Sequence, residues 1–274
     1  SLTGSLSLAD GEGGAELDIN RLNGDGRLVL DAGYANATSI LALDLSLEEG
    51  PDGIVANLID LPGRPSLAFS VTGEAPVNAY AADIRLVTDG EERLTGRIET
   101  AQPEDRAEVS LIFTASIRGD VAPLFAPDYQ AFFGDDVTLN AVVTTFTDGR
   151  LAVDDLGLRA AAVDLSGRVL LSAGGLPSEI DLSGQIMDPD GDPVLLPLTG
   201  PETRVDRVAL NVDFNAAEGD RWNGIFEVLG LSREGFAAET LSLEGTGRIR
   251  GGDPASVLAD LTFDATRLDL GNED

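Results

Sequence analysis

The stretch AAVDLSGRVLLS, residues 161–172, alternates with period two. Val163, Leu165, Gly167, Val169 and Leu171 fall on one side of an extended chain, and Asp164, Ser166, Arg168 and Ser172 on the other. Such alternation marks a strand with one dry and one wet face. The stretch raises two questions: what covers the apolar side, and why a glycine sits in its middle.

The same period recurs along the chain. Leu41, Leu43, Leu45 and Leu47 alternate with Ala42, Asp44, Ser46 and Glu48, and Val208, Leu210, Val212 and Phe214 repeat the pattern. Turn signals separate these runs: NGDG at 23–26, TDG at 88–90 and 147–149, and AGGLPSE at 173–179. The spacing predicts an all-β protein of roughly 16 to 18 strands, nearly all antiparallel. One segment departs from the pattern. In DVAPLFAPDYQAFFG, residues 120–134, Pro127 suits a first helical turn, Gly134 suits a C-terminal cap, and Leu124, Phe125, Tyr129, Phe132 and Phe133 recur at helical spacing. A short helix lying on the apolar face of the sheet is expected there.

Gly167 has counterparts. Leu-Ser/Thr-Gly-x-apolar occurs around Gly4, Gly96, Gly167 and Gly184, and each glycine shares the parity of its apolar neighbours. A glycine on the inward face leaves room where side chains would collide, so these four are read as bending points of a sharply curved sheet. The apolar lining expected of that sheet comprises Leu43, Leu45, Leu111, Phe113, Val163, Leu165, Val169, Leu210, Val212, Leu243, Leu261 and Phe263. Residues 1–274 are taken as one continuous β-trough segment, with any subdivision falling near the helix at 120–134.

Composition narrows the function. Of 274 residues, 18 are basic and 48 acidic, a net charge of −30 that would repel nucleic acid or an anionic membrane surface. Hydrophobic residues at 43% exclude wholesale disorder, while aromatics at 5% argue against a ring-stacking sugar cleft. No apolar run reaches the roughly 18 residues of a spanning helix, and a start at Ser1 without a signal peptide suggests a piece of something longer. Histidine and cysteine are both absent. Imidazole bases, thiol nucleophiles, Ser-His-Asp triads and ordinary zinc sites are therefore unavailable, and no phosphate-binding glycine loop occurs. Carboxylate-only glycoside hydrolysis needs just two acids, but Asp135 with Asp136 and Asp154 with Asp155 sit beside turn signals and read as solvated loops. DPDGDP at 188–193 places Asp188, Asp190 and Asp192 around a glycine, with the oxygen density of a calcium loop but neither its later bidentate Glu nor its flanking helices. The reading is a non-enzymatic protein with no cofactor.

APDYQAFFG at 126–134, DGRL at 148–151 and LSGRV at 165–169, together with residues 61–99, resemble an internal stretch of the alphaproteobacterial TamB family of the AsmA-like superfamily. The resemblance implies a large periplasmic protein of a Gram-negative bacterium, anchored in the inner membrane and reaching the outer one. Its long sheet would fold into a trough, a β-taco, whose apolar interior carries phospholipid acyl chains between the membranes and serves outer-membrane biogenesis. An outer-membrane partner of Omp85 type, TamA, would be engaged through regions outside this chain. Two alternatives share the alternation: a closed β-sandwich or β-helix serving as a scaffold or adhesin, and an outer-membrane barrel with apolar residues outward.

Overall fold

A computed structural model describes residues 1–9, 11–219, 221–248 and 258–271. The chain divides into two compact units, Ser1–Ala126 and Pro127–Asp274.

The first unit is an antiparallel meander of β1 (Leu2–Ala9), β2 (Glu12–Asn20), β3 (Gly26–Ala35), β4 (Ile40–Glu49), β5 (Leu67–Pro76), β6 (Ala81–Thr88), β7 (Glu91–Ala101) and β8 (Val109–Gly119). Each strand pairs with the next in sequence. Short hairpin connections set that order, because a turn of few residues can only return the chain alongside itself. The β6–β7 turn illustrates it. Asp89 and Gly90 both take positive φ, 50° and 81°, and Thr88 pairs with Glu91, the geometry of a two-residue turn whose twist matches the strands.

The second unit contains β9 (Val137–Phe146), β10 (Leu151–Arg159), β11 (Val163–Leu171), β12 (Pro177–Met187), β15 (Arg207–Asn215), β16 (Arg221–Arg233), β17 (Phe236–Arg248) and β18 (Leu258–Thr266), paired in that order. Between β12 and β15 the chain makes a small hairpin, β13 (Val194–Leu195) with β14 (Thr203–Val205), and β14 also pairs with the far end of β16. Every ladder among the described residues is antiparallel. Neither meander closes: within its unit no ladder joins β1 to β8, or β9 to β18, among the described residues. The fold is thus all-β, as the alternation predicts, and open, as expected of a trough.

Helix is scarce. The expected helical segment at 120–134 consists of 3-10 turns at Ala122–Leu124 and Pro127–Tyr129 and one α-turn, α2 (Gln130–Phe133). It ends at Gly134, whose φ of 67° and N–H to the Gln130 carbonyl (2.9 Å) stop it as a left-handed residue does. A second helix, α1 (Ile54–Leu58), which the sequence pattern does not announce, fills the β4–β5 connection. In chain order, α1 precedes α2.

The pair Asp154 and Asp155 lies in mid-strand, not in a loop. The β10–β11 register slips between Val153 and Leu156, and Asp155 has φ of 50°. This is a β-bulge, and its extra residue lets Val153 and Leu156 both face the apolar side, opposite Val169 and Gly167. Asp135 and Asp136 are exposed in the connection between α2 and β9.

Candidate functional site

The registers align the apolar residues into rows that cross each sheet. In the first unit one row runs from Gly4 through Leu17, Leu30, Leu45, Val71, Ile84 and Gly96 to Ile117. In the second, Leu139, Leu158, Leu165, Gly184, Leu210, Phe226, Leu243 and Phe263 stand directly opposite one another in succession. Each row crosses eight strands, about 34 Å at seven spacings of roughly 4.8 Å. The alternate residues make the other face polar, with cross-strand ion pairs Arg27–Asp18 (2.8 Å), Arg97–Asp83 (2.7 Å), Arg85–Glu92 (2.7 Å) and Arg168–Asp154 (2.8 Å).

The apolar rows are not a dry core. Of the twelve expected lining residues, Leu43, Leu45, Leu111, Phe113, Val163, Leu165, Val169, Leu210, Val212 and Leu243 are half-buried. Phe263 is 70% exposed on β18, and the side chain of Leu261 lies outside the described residues. Within each unit, no second sheet lies across this face among the described residues. Among the described residues fully buried side chains are few, and Phe214 and Val205 are the largest.

Within each unit, among the described residues, only the strand ends are covered. In the first unit α1 folds over the apolar face, so that Ala56 and Leu61 pack with Leu67 against Leu47, Phe69 and Leu86. Glu49, the last residue of β4 and on the apolar side, is buried there, and its carboxylate accepts the N–H groups of Ile54 (3.0 Å) and Val55 (2.8 Å). A charge on this face is tolerable because the orphan amides of α1 satisfy it. In the second unit Phe132 of α2 joins Ala162, Val194 and Val205 over Ile186, Val208 and Val228. The expectation of an aromatic helix lying on the sheet holds for Phe132; Phe125 is 36% exposed. At the opposite strand ends of the first unit, Tyr80 lies over Gly73 and its hydroxyl donates to the Gly73 carbonyl (3.3 Å). Burial raises the Tyr80 phenol above its ordinary pKa.

The glycines separate by face. On the apolar side a Cβ at Gly167 would stand 2.8 Å from the Cα of Leu182, one at Gly73 2.9 Å from the Cα of Ala82, and one at Gly184 2.9 Å from the Asp164 carbonyl oxygen. Gly96 is crowded by the Ile117 side chain at 3.0 Å, and Gly4 by the Glu16 carbonyl oxygen at 3.2 Å. On the polar side, Gly33 and Gly157 would meet nothing within 4 Å, and Gly14 no backbone but the Ser7 hydroxyl, at 3.0 Å. Neighbouring backbone therefore leans over the apolar face and away from the polar one, as a sheet curling toward its apolar face requires.

A depression of about 580 Å³ on the polar face is lined by Arg21, Asp25, Arg27, Glu48, Ser66 and Gly90 among others. Arg27 holds the Asp18 carboxyl below the usual carboxylate range, and Arg150 does the same for Asp148. In the 188–193 turn, Asp188 accepts the Asp190 N–H (2.8 Å) and its carbonyl accepts that of Gly191 (3.1 Å), while Asp190 and Asp192 are exposed. The three carboxylates do not assemble, and no group of His, Cys, Asp or Glu that could hold a metal occurs among the described residues. No helix there is long and apolar enough to cross a membrane.

Sequence reasoning missed Leu139, Leu158, Phe226 and the entire Leu17–Leu30–Val71–Ile84 stretch of the first row. Parity within each strand marks all of them; only the register shows that they are neighbours. Comparison with protein-family models, with curated proteins and with solved structures finds no match.

Proposed function

We propose that this chain is a section of a hydrophobic conduit along which phospholipid acyl chains move, within a larger periplasmic protein anchored in the inner membrane, and that it serves outer-membrane biogenesis. One observation carries the reading: apolar rows eight strands wide that, within each unit and among the described residues, are covered only at the strand ends. Acyl chains on such a face would be stabilised by roughly 0.8 kcal/mol per buried CH₂. No polar group need be placed for this, and no catalytic residue is needed. The resemblance of residues 61–99 and 124–186 to the TamB family supports the same reading, and with it an outer-membrane partner of Omp85 type bound elsewhere in the parent protein.

The test is chemical. Mass spectrometry of lipid co-purified with the 274-residue chain, and photo-crosslinking from Val169, are expected to find phospholipid on the apolar face. Absence of both bound and crosslinked lipid, with collapse of the fold in Val169→Asp, would replace the conduit by a scaffold that carries no lipid.

A further inference from the structure

We infer that Asn23 and Gly24 form a site of self-modification, at which the chain converts its own asparagine to aspartate and isoaspartate with loss of ammonia. The chain has ten asparagines, and only Asn23 and Asn223 precede glycine, whose missing Cβ leaves its backbone nitrogen open to react. By sequence the two are equal; the fold separates them. Asn223 and Gly224 lie inside β16, paired with Asp213 and Val212 of β15 on one side and with Thr246 and Gly245 of β17 on the other. Ladder bonds fix the peptide on both flanks, and ψ is held near the strand value of about +135°. The rings of Trp222 and Phe226 close over Gly224, 3.1 and 3.4 Å from where its Cβ would be. Exposure does not make the difference, since Asn223 is as exposed by class as Asn23.

Asn23 and Gly24 stand instead at the tip of the β2–β3 connection, both exposed. The Arg21 N–H closes the connection below them on the Gly26 carbonyl (2.8 Å), and among the described residues no group bonds the Asn23 side chain or the Gly24 N–H. Gly24 has φ of 127°, a conformation that suits glycine alone. With no ladder to hold it, the tip is free to turn until the Gly24 nitrogen meets Cγ of Asn23, a rotation that β16 denies to Asn223. Arg21 supplies a second element. Its guanidinium lies against Gly24, with Cζ and Nε each 3.3 Å from the position of a Cβ there, and its Nη1 donates to the Asp52 carbonyl (3.4 Å). A cation so placed favours loss of the Gly24 amide proton and stabilises the oxyanion that then forms at Asn23. The steps balance with water alone. The Gly24 amide gives its proton to solvent hydroxide and its nitrogen bonds to Cγ; the Cγ–Nδ2 bond breaks, and the leaving nitrogen takes a proton from water and departs as ammonia. Water opens the resulting succinimide at Cγ to give aspartate, or at the backbone carbonyl to give isoaspartate. Either product carries one more negative charge than asparagine.

The test incubates the folded 274-residue chain in mildly alkaline buffer, digests it with trypsin and follows peptides 22–27 and 222–233 by mass spectrometry. Peptide 22–27 should gain one mass unit and split into aspartate and isoaspartate forms, about a hundredfold faster than peptide 222–233 changes. In the guanidinium-unfolded chain the two asparagines should convert at similar rates, because only the fold tells them apart. Arg21→Gln, read on the longer peptide that ends at Arg27, should slow Asn23 about tenfold and leave Asn223 as it was. Asn23→Ser should abolish the acidic species that anion exchange resolves. A folded chain in which Asn23 stays unconverted, or in which Asn223 keeps pace with it, would overturn the inference; an unchanged rate in Arg21→Gln would overturn the part assigned to the guanidinium.

Discussion

Gly167 of β11 stands directly opposite Leu182 of β12, so close that a Cβ at position 167 would lie 2.6 Å from the leucine Cδ2 and 2.8 Å from its Cα. Backbone cannot yield as the tip of a side chain can, so Gly167→Ala should cost about 1–3 kcal/mol in chemical denaturation. Gly33→Ala and Gly157→Ala, on the other face with open space at Cβ, should be neutral or stabilise by up to about 1 kcal/mol through the unfolded chain. Equal effects on the two faces would refute the inward curl.

Val169 pairs with Val153 and Ile180 on a half-buried face. Water can reach an Asp placed there, so Val169→Asp should remain folded with a lowered Tm while losing co-purified lipid. A substitution at the fully buried Phe214 tests the contrast: Phe214→Ala should cost about 3–5 kcal/mol.

Glu49 holds α1 through the amides of Ile54 and Val55. Glu49→Ala should release the helix at a cost of about 2 kcal/mol, as loss of a capping group does, with faster hydrogen exchange at Ile54 and Val55. Gly53→Ala should act in the same direction, because its Cβ would reach 2.5 Å from the Glu49 Oε2.

Glu16, Asp31 and Asp44 face one another in register across β2, β3 and β4 on the polar side. Like charges directly opposite are destabilising, so Asp31→Thr should raise stability by about 0.2–1 kcal/mol at low salt. The gain should shrink toward 1 M salt, where screening acts within about 3 Å. A salt-independent gain would point instead to strand propensity.

Tyr80 makes stability fall at alkaline pH. Burial raises its phenol pKa in the fold, so its contribution is fully present below the unfolded value of about 10 and is lost as pH rises through the folded value. Urea midpoints for wild type should drop across that window. Tyr80→Phe should flatten the drop, while losing the hydrogen bond to Gly73, worth about 0.5–1.5 kcal/mol at neutral pH.

Local rules carry most of the fold. Alternation through Leu41–Leu47 makes β4 a strand with one apolar face, Asp89-Gly90 makes a tight hairpin, and Pro127 and Gly134 bracket the helical segment, because each of these preferences acts over a few residues. Three features depended on residues remote in sequence. Helix α1 has no side-chain cap of its own and is held by Glu49 at the end of the preceding strand and by Leu67 at the start of the next. Asp154 and Asp155 form a bulge because Val153 and Leu156 must both meet β11 on the same face. The rows themselves exist only through register: parity placed Leu165, Leu210 and Leu243 on apolar faces, but strand pairing through Gly184 and Phe226 set them in one line. Sequence alone could determine which side of each strand avoids water, since that is a property of one strand. Tertiary structure decided which strands lie side by side, and hence that within each unit their apolar sides merge into a face that, among the described residues, is covered only at its ends.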